Sequence, residues 1–121
     1  MRGKTILVVD DEVHILSALQ RALRGEGYEL LTADSPLRAL DILKVRAVDA
    51  ILSDHKMPGM SGLELLARAA LYCPKAVRLL LTGWTEEISP SQVERLGIRA
   101  LLPKPWEDAE LKAALRAAIE P

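Results

Sequence analysis

The chain has 121 residues, of which 50% are apolar and 27% charged, and this length and composition predict a single domain over residues 1–121. Its 16 basic and 17 acidic residues give a net charge of -1, which excludes bulk electrostatic attraction to nucleic acid or to an anionic membrane. One cysteine and two histidines exclude an internal disulfide and a structural zinc site, and the first apolar run is too short for a secretion signal, so we expect a cytoplasmic protein.

Strands and helices alternate from the start of the chain. Residues 6–9 form a short continuous apolar run, which is typical of a strand covered on both faces. Residues 13–24 carry apolar side chains at helical spacing, and the glycines at 25 and 27 end that helix. A second strand over 28–32 leads to a helix that Ser35 caps and Pro36 begins. We predict that this second helix directs three residues inward: Leu40, Leu43 and Ala47.

The same alternation continues to the end of the chain. The remaining predicted strands cover 50–52, 76–81 and 100–102, and the remaining helices cover 62–71, 89–96 and 107–119. The predicted inward face of the third helix is Leu63, Leu66, Ala67 and Ala70. The predicted inward face of the last helix is Leu111, Leu115, Ala118 and Ile119.

Five strands that alternate with helices predict an α/β fold with an open, doubly wound parallel sheet and helices on both faces, because parallel strands need crossover connections. In such sheets ligands bind at the carboxyl ends of the strands. Polar residues follow four of the predicted strands: Asp10, Asp11 and Glu12, then Asp54, then Thr82, then Lys104. We therefore expect one site that draws on four loops.

The chemistry of these side chains indicates phosphoryl transfer. Carboxylates a few ångströms apart repel one another by a few kcal/mol per pair, so the cluster needs a divalent cation. An all-oxygen ligand set suits Mg²⁺ or Mn²⁺ better than zinc. A cation, the Lys104 ammonium and the Thr82 hydroxyl around one carboxylate are what phosphorylation of Asp54 requires. The alternative is that Asp10 and Asp11 only cap the first helix.

Through these residues, the chain resembles the receiver domain of bacterial two-component response regulators. The resemblance covers nearly the whole chain and rests on residues 8–12, 53–62, 81–83 and 103–105. It implies a three-layer, flavodoxin-like fold with strand order 2-1-3-4-5 and five helices. It also implies a phosphoacceptor switch that catalyses its own phosphotransfer and dephosphorylation, rather than a classical enzyme.

Carried over residue by residue, the resemblance makes Asp54 the phosphoacceptor for a histidine kinase or a histidine phosphotransfer protein. It implies that Asp10, Asp11, Asp54 and the backbone carbonyl of Lys56 bind Mg²⁺. It implies that Thr82 and Lys104 bind the phosphoryl group and that the Lys104–Pro105 peptide bond is cis. The partner that reads the switch is an output domain or a separate target protein.

The chain departs from the family pattern at Leu101, where the family usually has an aromatic switch residue. Either a rotamer change of Leu101 or movement of Trp84 could replace it. The resemblance also implies that Lys56 and Trp84 occupy positions that in this family flank the approach of hydrolytic water, so we expect a slowly hydrolysed aspartyl phosphate. Trp106 either covers apolar surface or contacts a partner on the face of the fourth helix, fifth strand and fifth helix, which could also form a homodimer.

Two other functions remain open at this point. A small Mg²⁺-dependent phosphatase is less favoured, because such an enzyme needs an acid two residues after its nucleophile and Lys56 stands there. A phosphorylation-independent interaction module fits the missing aromatic at Leu101. A flavin or dinucleotide carrier is excluded, because acids fill the turn after the first strand. His14 and His55 are predicted to be exposed and not ligands.

Overall fold

The computed structural model describes residues 3–83 and 88–120 of the chain. The strands are β1 Thr5–Val9, β2 Glu29–Ala33, β3 Ala50–Asp54, β4 Val77–Thr82 and β5 Ile98–Pro103. The helices are α1 Val13–Leu23, α2 Pro36–Val45, α3 Gly62–Tyr72, α4 Pro90–Leu96 and α5 Asp108–Ile119. Every predicted element is present, and its ends differ from the prediction by a few residues. Within the described residues, no helix has the length and apolar character that crossing a membrane requires.

All strand pairs in the sheet are parallel, and the strand order is β2-β1-β3-β4-β5, which confirms the flavodoxin-like architecture. All residues of β1 and β3 are buried. Their continuous apolar runs match this position, because a central strand of a parallel sheet is covered on both faces.

Two apolar cores lie on opposite faces of the sheet, because successive strand residues point to opposite sides. Leu7, Ile51 and Leu80 belong to the core under α2, α3 and α4, which we call the α3-side core. Ile6, Leu52 and Leu79 belong to the core under α1 and α5. Full burial of each large aliphatic side chain contributes on the order of 2 kcal/mol, so these two cores hold the strand ends in fixed positions.

The predicted inward faces of α2 and α3 need correction. Helix α2 ends at Val45 because Arg46 is extended, so Ala47 is exposed and Val48 is buried in its place. In α3, Ala67 is exposed and Ala70 is half-buried. Its buried face is Gly62, Leu63, Leu65, Leu66 and Ala69. Both sets have helical spacing, and the close approach of Gly62 to β3 decides which of them faces the sheet.

Candidate functional site

The carboxyl ends of the parallel strands bring distant residues to one rim of the sheet. Asp10 follows β1, Asp54 ends β3, Thr82 ends β4 and Lys104 follows β5. Carboxylate oxygens of Asp10, Asp11 and Asp54 all lie within 4.8 Å of one another. The sequence prediction that these acids meet is therefore confirmed.

Asp10 is fully buried and both of its carboxylate oxygens have partners. Its Oδ1 accepts a hydrogen bond of 2.9 Å from the backbone N–H of Glu12, and its Oδ2 accepts one of 2.9 Å from Lys104 Nζ. The N-cap residue of α1 is Glu12, and its side chain makes no capping hydrogen bond. Helix capping by Asp10 or Asp11 therefore does not explain the cluster.

Lys104 joins two of these acids. Its Nζ lies 2.9 Å from Asp10 Oδ2, 3.1 Å from Asp54 Oδ1 and 4.0 Å from Glu12 Oε1. Burial lowers the pKa of Lys104, but the hydrogen bonds to Asp10 and Asp54 outweigh burial and leave that pKa raised. The ammonium is therefore the counter-charge of the cluster in this structure.

Asp54 remains electrostatically unfavourable as an anion despite this ion pair. Burial and the charge of Asp10 raise the pKa of Asp54, and they outweigh the opposing effect of Lys104 and of the His55 backbone N–H. A carboxylate that gains stability from further positive charge is suited to bind a cation.

The backbone around Asp54 is fixed by hydrogen bonds on both sides. The Ser53 hydroxyl donates to the Asp54 carbonyl at 2.8 Å, and the His55 N–H donates to the Leu81 carbonyl at 3.1 Å. The Gly62 N–H donates to the His55 carbonyl at 2.7 Å, which closes the loop between β3 and α3. A Cβ at Gly62 would collide with the Asp54 carbonyl oxygen, so only glycine permits this approach.

A cleft of about 200 Å³ opens beside the acids. This volume exceeds the ~30 Å³ share of one water several-fold, so a phosphoryl group fits. His55 is half-buried rather than exposed as predicted, because its backbone is tied to β4 and α3, whereas His14 is exposed. Glu12 lines the cleft, in keeping with its predicted place at this rim, and His55 also lines it although its position in the sequence predicts an exposed loop residue. The lining residues are Glu12, Asp54, His55, Lys56, Thr82, Gly83 and Lys104.

The predicted switch residues have different surroundings. Thr82 is buried, and its carbonyl accepts a hydrogen bond of 3.1 Å from the Lys104 N–H. The Lys104–Pro105 peptide bond is cis, as the resemblance implies. Leu101 is half-buried and packs against the α3-side core, whereas Trp84 lies outside the described residues.

Trp106 is half-buried and packs against the core under α1 and α5. Its Nε1 donates a hydrogen bond of 2.9 Å to Asp108 Oδ1 at the start of α5. These contacts favour the simpler of the two predicted roles, that of covering apolar surface.

The geometry agrees with comparisons to known proteins. The family model of the response regulator receiver domain matches residues 6–116. The chain belongs to this family. It is 37% identical over 117 residues to the hydrogenase transcriptional regulatory protein HoxA of Bradyrhizobium diazoefficiens, covering 96% of this chain and 24% of that protein. The chain thus spans about a quarter of the length of that relative.

Two further comparisons cover most of both partners. The sporulation initiation phosphotransferase F of Bacillus subtilis is 31% identical over 116 residues, which is 96% of this receiver domain and 94% of that protein. The signal receiver domain of an HD domain-containing protein from Pseudomonas fluorescens superposes with a TM-score of 0.90 at 38% identity. This match covers 99% of this chain and 89% of that chain.

The site also fits the ion that receiver domains usually bind, which is Mg²⁺ at an acidic cluster. The donors of this receiver domain are carboxylate oxygens, which are the ligands Mg²⁺ prefers. Three carboxylates meet around one ammonium, and burial together with the charge of Asp10 raises the pKa of Asp54, so further positive charge would stabilise the ionised cluster. Both the donor type and the charge fit a divalent cation.

Proposed function

We propose that this receiver domain accepts a phosphoryl group on Asp54 from a histidine kinase or a histidine phosphotransfer protein. The observation that carries the proposal is the placement of Lys104 Nζ 3.1 Å from Asp54 within a cluster of three carboxylates. A nucleophilic carboxylate needs this positive charge, because the transferred group spreads negative charge over its oxygens.

In the proposed step, a carboxylate oxygen of Asp54 attacks the phosphorus of a phosphohistidine. The new oxygen–phosphorus bond forms as the nitrogen–phosphorus bond breaks, and the leaving imidazole takes up a proton. Lys104 neutralises one phosphoryl oxygen and the Thr82 hydroxyl donates to another. Asp10, Asp11, Asp54 and the Lys56 carbonyl would hold Mg²⁺, which supplies further positive charge to the phosphoryl oxygens.

Thr82 links this chemistry to the surface of the domain. It is buried at the end of β4, and a bond to the phosphoryl group would draw in the backbone that follows it. Lys104 would move with it, because its N–H is bonded to the Thr82 carbonyl. We propose that the resulting change at α4, β5 and α5 alters a protein interface, which an output domain, a target protein or a second copy of the chain could bind.

Three further parts of the proposal concern the setting of this switch. The domain catalyses its own transfer and hydrolysis, with Lys56 at the edge of the cleft slowing the attack of water. It works in the cytoplasm, where a kinase domain can reach it. The HoxA relative is named as a transcriptional regulator, so an output in gene regulation is one outcome to test.

Incubation with acetyl phosphate and Mg²⁺, followed by intact-protein mass spectrometry, tests the proposed function. We expect one added phosphoryl group in the natural protein, none in Asp54→Asn, and full labelling in the surface control Asp41→Asn. Continuous turnover of acetyl phosphate without a stable adduct would favour the phosphatase alternative. Absence of both adduct and turnover would favour the phosphorylation-independent module, which the aliphatic side chain of Leu101 keeps open.

A further inference from the structure

Helix α4 is held to the domain more weakly than the other described helices. Helices α1, α2, α3 and α5 each have at least four buried residues, whereas α4 has none. Within the helix, Val93 and Leu96 are only half-buried where they pack against the α3-side core, and the fully buried members of that core nearest to α4, Ile88 and Ile98, lie just outside the helix. Burial of the helix's own apolar side chains therefore contributes little to docking α4.

The same helix is well stabilised by its own ends. The Ser89 hydroxyl accepts a bond of 3.2 Å from the Gln92 N–H, and the Gln92 side chain accepts one of 2.9 Å from the Ser89 N–H. Pro90 begins the helix, and Gly97 ends it with a left-handed φ of 66°. These bonds fix both ends of α4, but a helix of seven residues is only marginally stable on its own, so the amide protons of α4 should exchange faster when it leaves the sheet.

Arg78 on β4 lies beneath the carboxyl end of this helix. A Cβ built on Gly97 would be 2.6 Å from Arg78 Nη2, so the guanidinium contacts the residue that ends α4. The pairing of β4 with β5 also shifts register between Arg78 and Leu79. Irregular pairing of this kind is common beside functional segments.

The Arg78 guanidinium is poorly satisfied in this position. Its Nε and Nη1 are buried and have no hydrogen-bond partner within residues 3–83 and 88–120. An arginine cannot relieve this cost by losing its proton, and a buried charged donor without an acceptor is destabilising. The docked position of α4 therefore covers donors that a displaced helix would leave free to bond water.

We propose that Arg78 is a positioning residue that biases α4 toward release from the sheet. The inference rests on the proposed function and specifies its regulation: phosphorylation at Asp54 favours displaced α4, and the unsatisfied guanidinium lowers the free energy needed to reach that state. Weak docking and the two buried Arg78 donors that lack an acceptor among the described residues together make α4 an element with two accessible positions.

The test compares Arg78→Met with Arg99→Met, which removes the same charge from an exposed site on β5. Methionine fills similar space without donors, so it should stabilise docked α4 and leave displaced α4 unchanged. We expect slower amide hydrogen exchange over residues 90–96. We also expect roughly ten-fold weaker binding of beryllofluoride with Mg²⁺, because more of its binding free energy is then used to displace α4. Arg99→Met should match the natural protein in both measurements.

Unchanged exchange in α4 together with unchanged beryllofluoride affinity in Arg78→Met would overturn the inference. So would a general loss of stability, seen as faster exchange throughout the sheet. Gly97→Asn supplies an independent variant, since asparagine tolerates the left-handed backbone but its Cβ displaces the guanidinium. We expect faster exchange in α4 for this variant and a smaller effect when Gly97→Asn is combined with Arg78→Met, because the guanidinium that the Cβ meets is then absent; an equal effect in both backgrounds would contradict the role of Arg78.

Failure of the proposed function gives a different result. If the natural protein does not bind beryllofluoride at all, Asp54 is not the acceptor, whatever the exchange of α4. If the natural protein binds it and Arg78→Met binds it equally well, the acceptor role stands and the role of Arg78 is wrong.

Discussion

Replacing Lys104 by methionine removes the ammonium that lies between two buried acids. The ammonium is 2.9 Å from Asp10 and 3.1 Å from Asp54, and each such pair attracts by ~5 kcal/mol at an effective dielectric of about 20. Desolvation of the charges offsets much of this attraction, and loss of one partner from a buried pair typically costs about 3 kcal/mol or more. We therefore expect Lys104→Met to unfold about 3 kcal/mol more easily than the natural protein in the absence of Mg²⁺.

Mg²⁺ should reverse part of this loss. A cation at 100 times its dissociation constant stabilises a protein by about 2.7 kcal/mol, and at 1,000 times by about 4.1 kcal/mol. Because Mg²⁺ no longer shares Asp10 and Asp54 with an ammonium, we expect about ten-fold tighter binding and hence the larger of these two gains in Lys104→Met.

Urea unfolding followed by circular dichroism, with EDTA and with Mg²⁺, measures both effects. Lys75→Met is the matched control, because Lys75 is an exposed lysine far from the site in the turn before β4. Two results would refute the reasoning: a variant as stable as the natural protein in EDTA, or an equal gain from Mg²⁺ in both proteins.

Three other predictions follow from the same contacts. In EDTA at neutral pH, Asp54→Asn should be at least as stable as the natural protein. Because folding raises the pKa of Asp54, the free energy of unfolding of the natural protein falls as pH rises through that pKa, and the variant lacks this titrating group. Urea unfolding at several pH values should therefore show a smaller change of unfolding free energy with pH in the variant. Burial and the hydrogen bond to Glu120 raise the pKa of Tyr28 to about 12. The contribution of this residue to the free energy of unfolding is therefore complete below about pH 10 and is lost as pH rises toward 12. Urea unfolding should show no such loss in Tyr28→Phe, and phenolate absorbance follows the titration of Tyr28 in the natural protein. Lys56→Ala should shorten the half-life of the phosphorylated protein several-fold, and Trp84→Ala should do the same, as radiolabel loss measures; half-lives equal to that of the natural protein would reject water shielding by these residues.

The sequence predicts the order of the elements and the rim of the sheet where the acids meet. These predictions succeed because a continuous apolar run such as 6–9 is stable only as a strand that is covered by helices on both faces of a parallel sheet. Once β1 and β3 are adjacent, Asp10 and Asp54 must lie side by side. Strand topology thus places the acids without any knowledge of side-chain contacts.

The rotation of a helix about its axis is harder to predict. In α3, stripes that include Ala70 or Ala69 have equal spacing and similar hydrophobicity. The choice depends on the approach of Gly62 to the Asp54 carbonyl, which is a tertiary contact. The end of α2 at Val45 likewise depends on where the chain must turn toward β3, so Ala47 was placed inward incorrectly.

Individual polar contacts are also beyond the pattern of the sequence. The pairing of Lys104 with Asp10 joins residues 94 positions apart, and periodicity carries no information about it. The burial of Arg78 beneath Gly97 is similarly absent from any motif. In both cases the partner becomes known only when the strands have been packed.

Reductive trapping of the phosphorylated protein tests the central claim most directly. Borohydride converts an aspartyl phosphate to homoserine, and peptide mass spectrometry then identifies the modified position. We predict homoserine at position 54 alone, formed only after incubation with a phosphoryl donor and Mg²⁺. Modification at Asp10 or Asp11 instead, or no modification of a protein that binds Mg²⁺, would contradict the assignment of Asp54 as the acceptor.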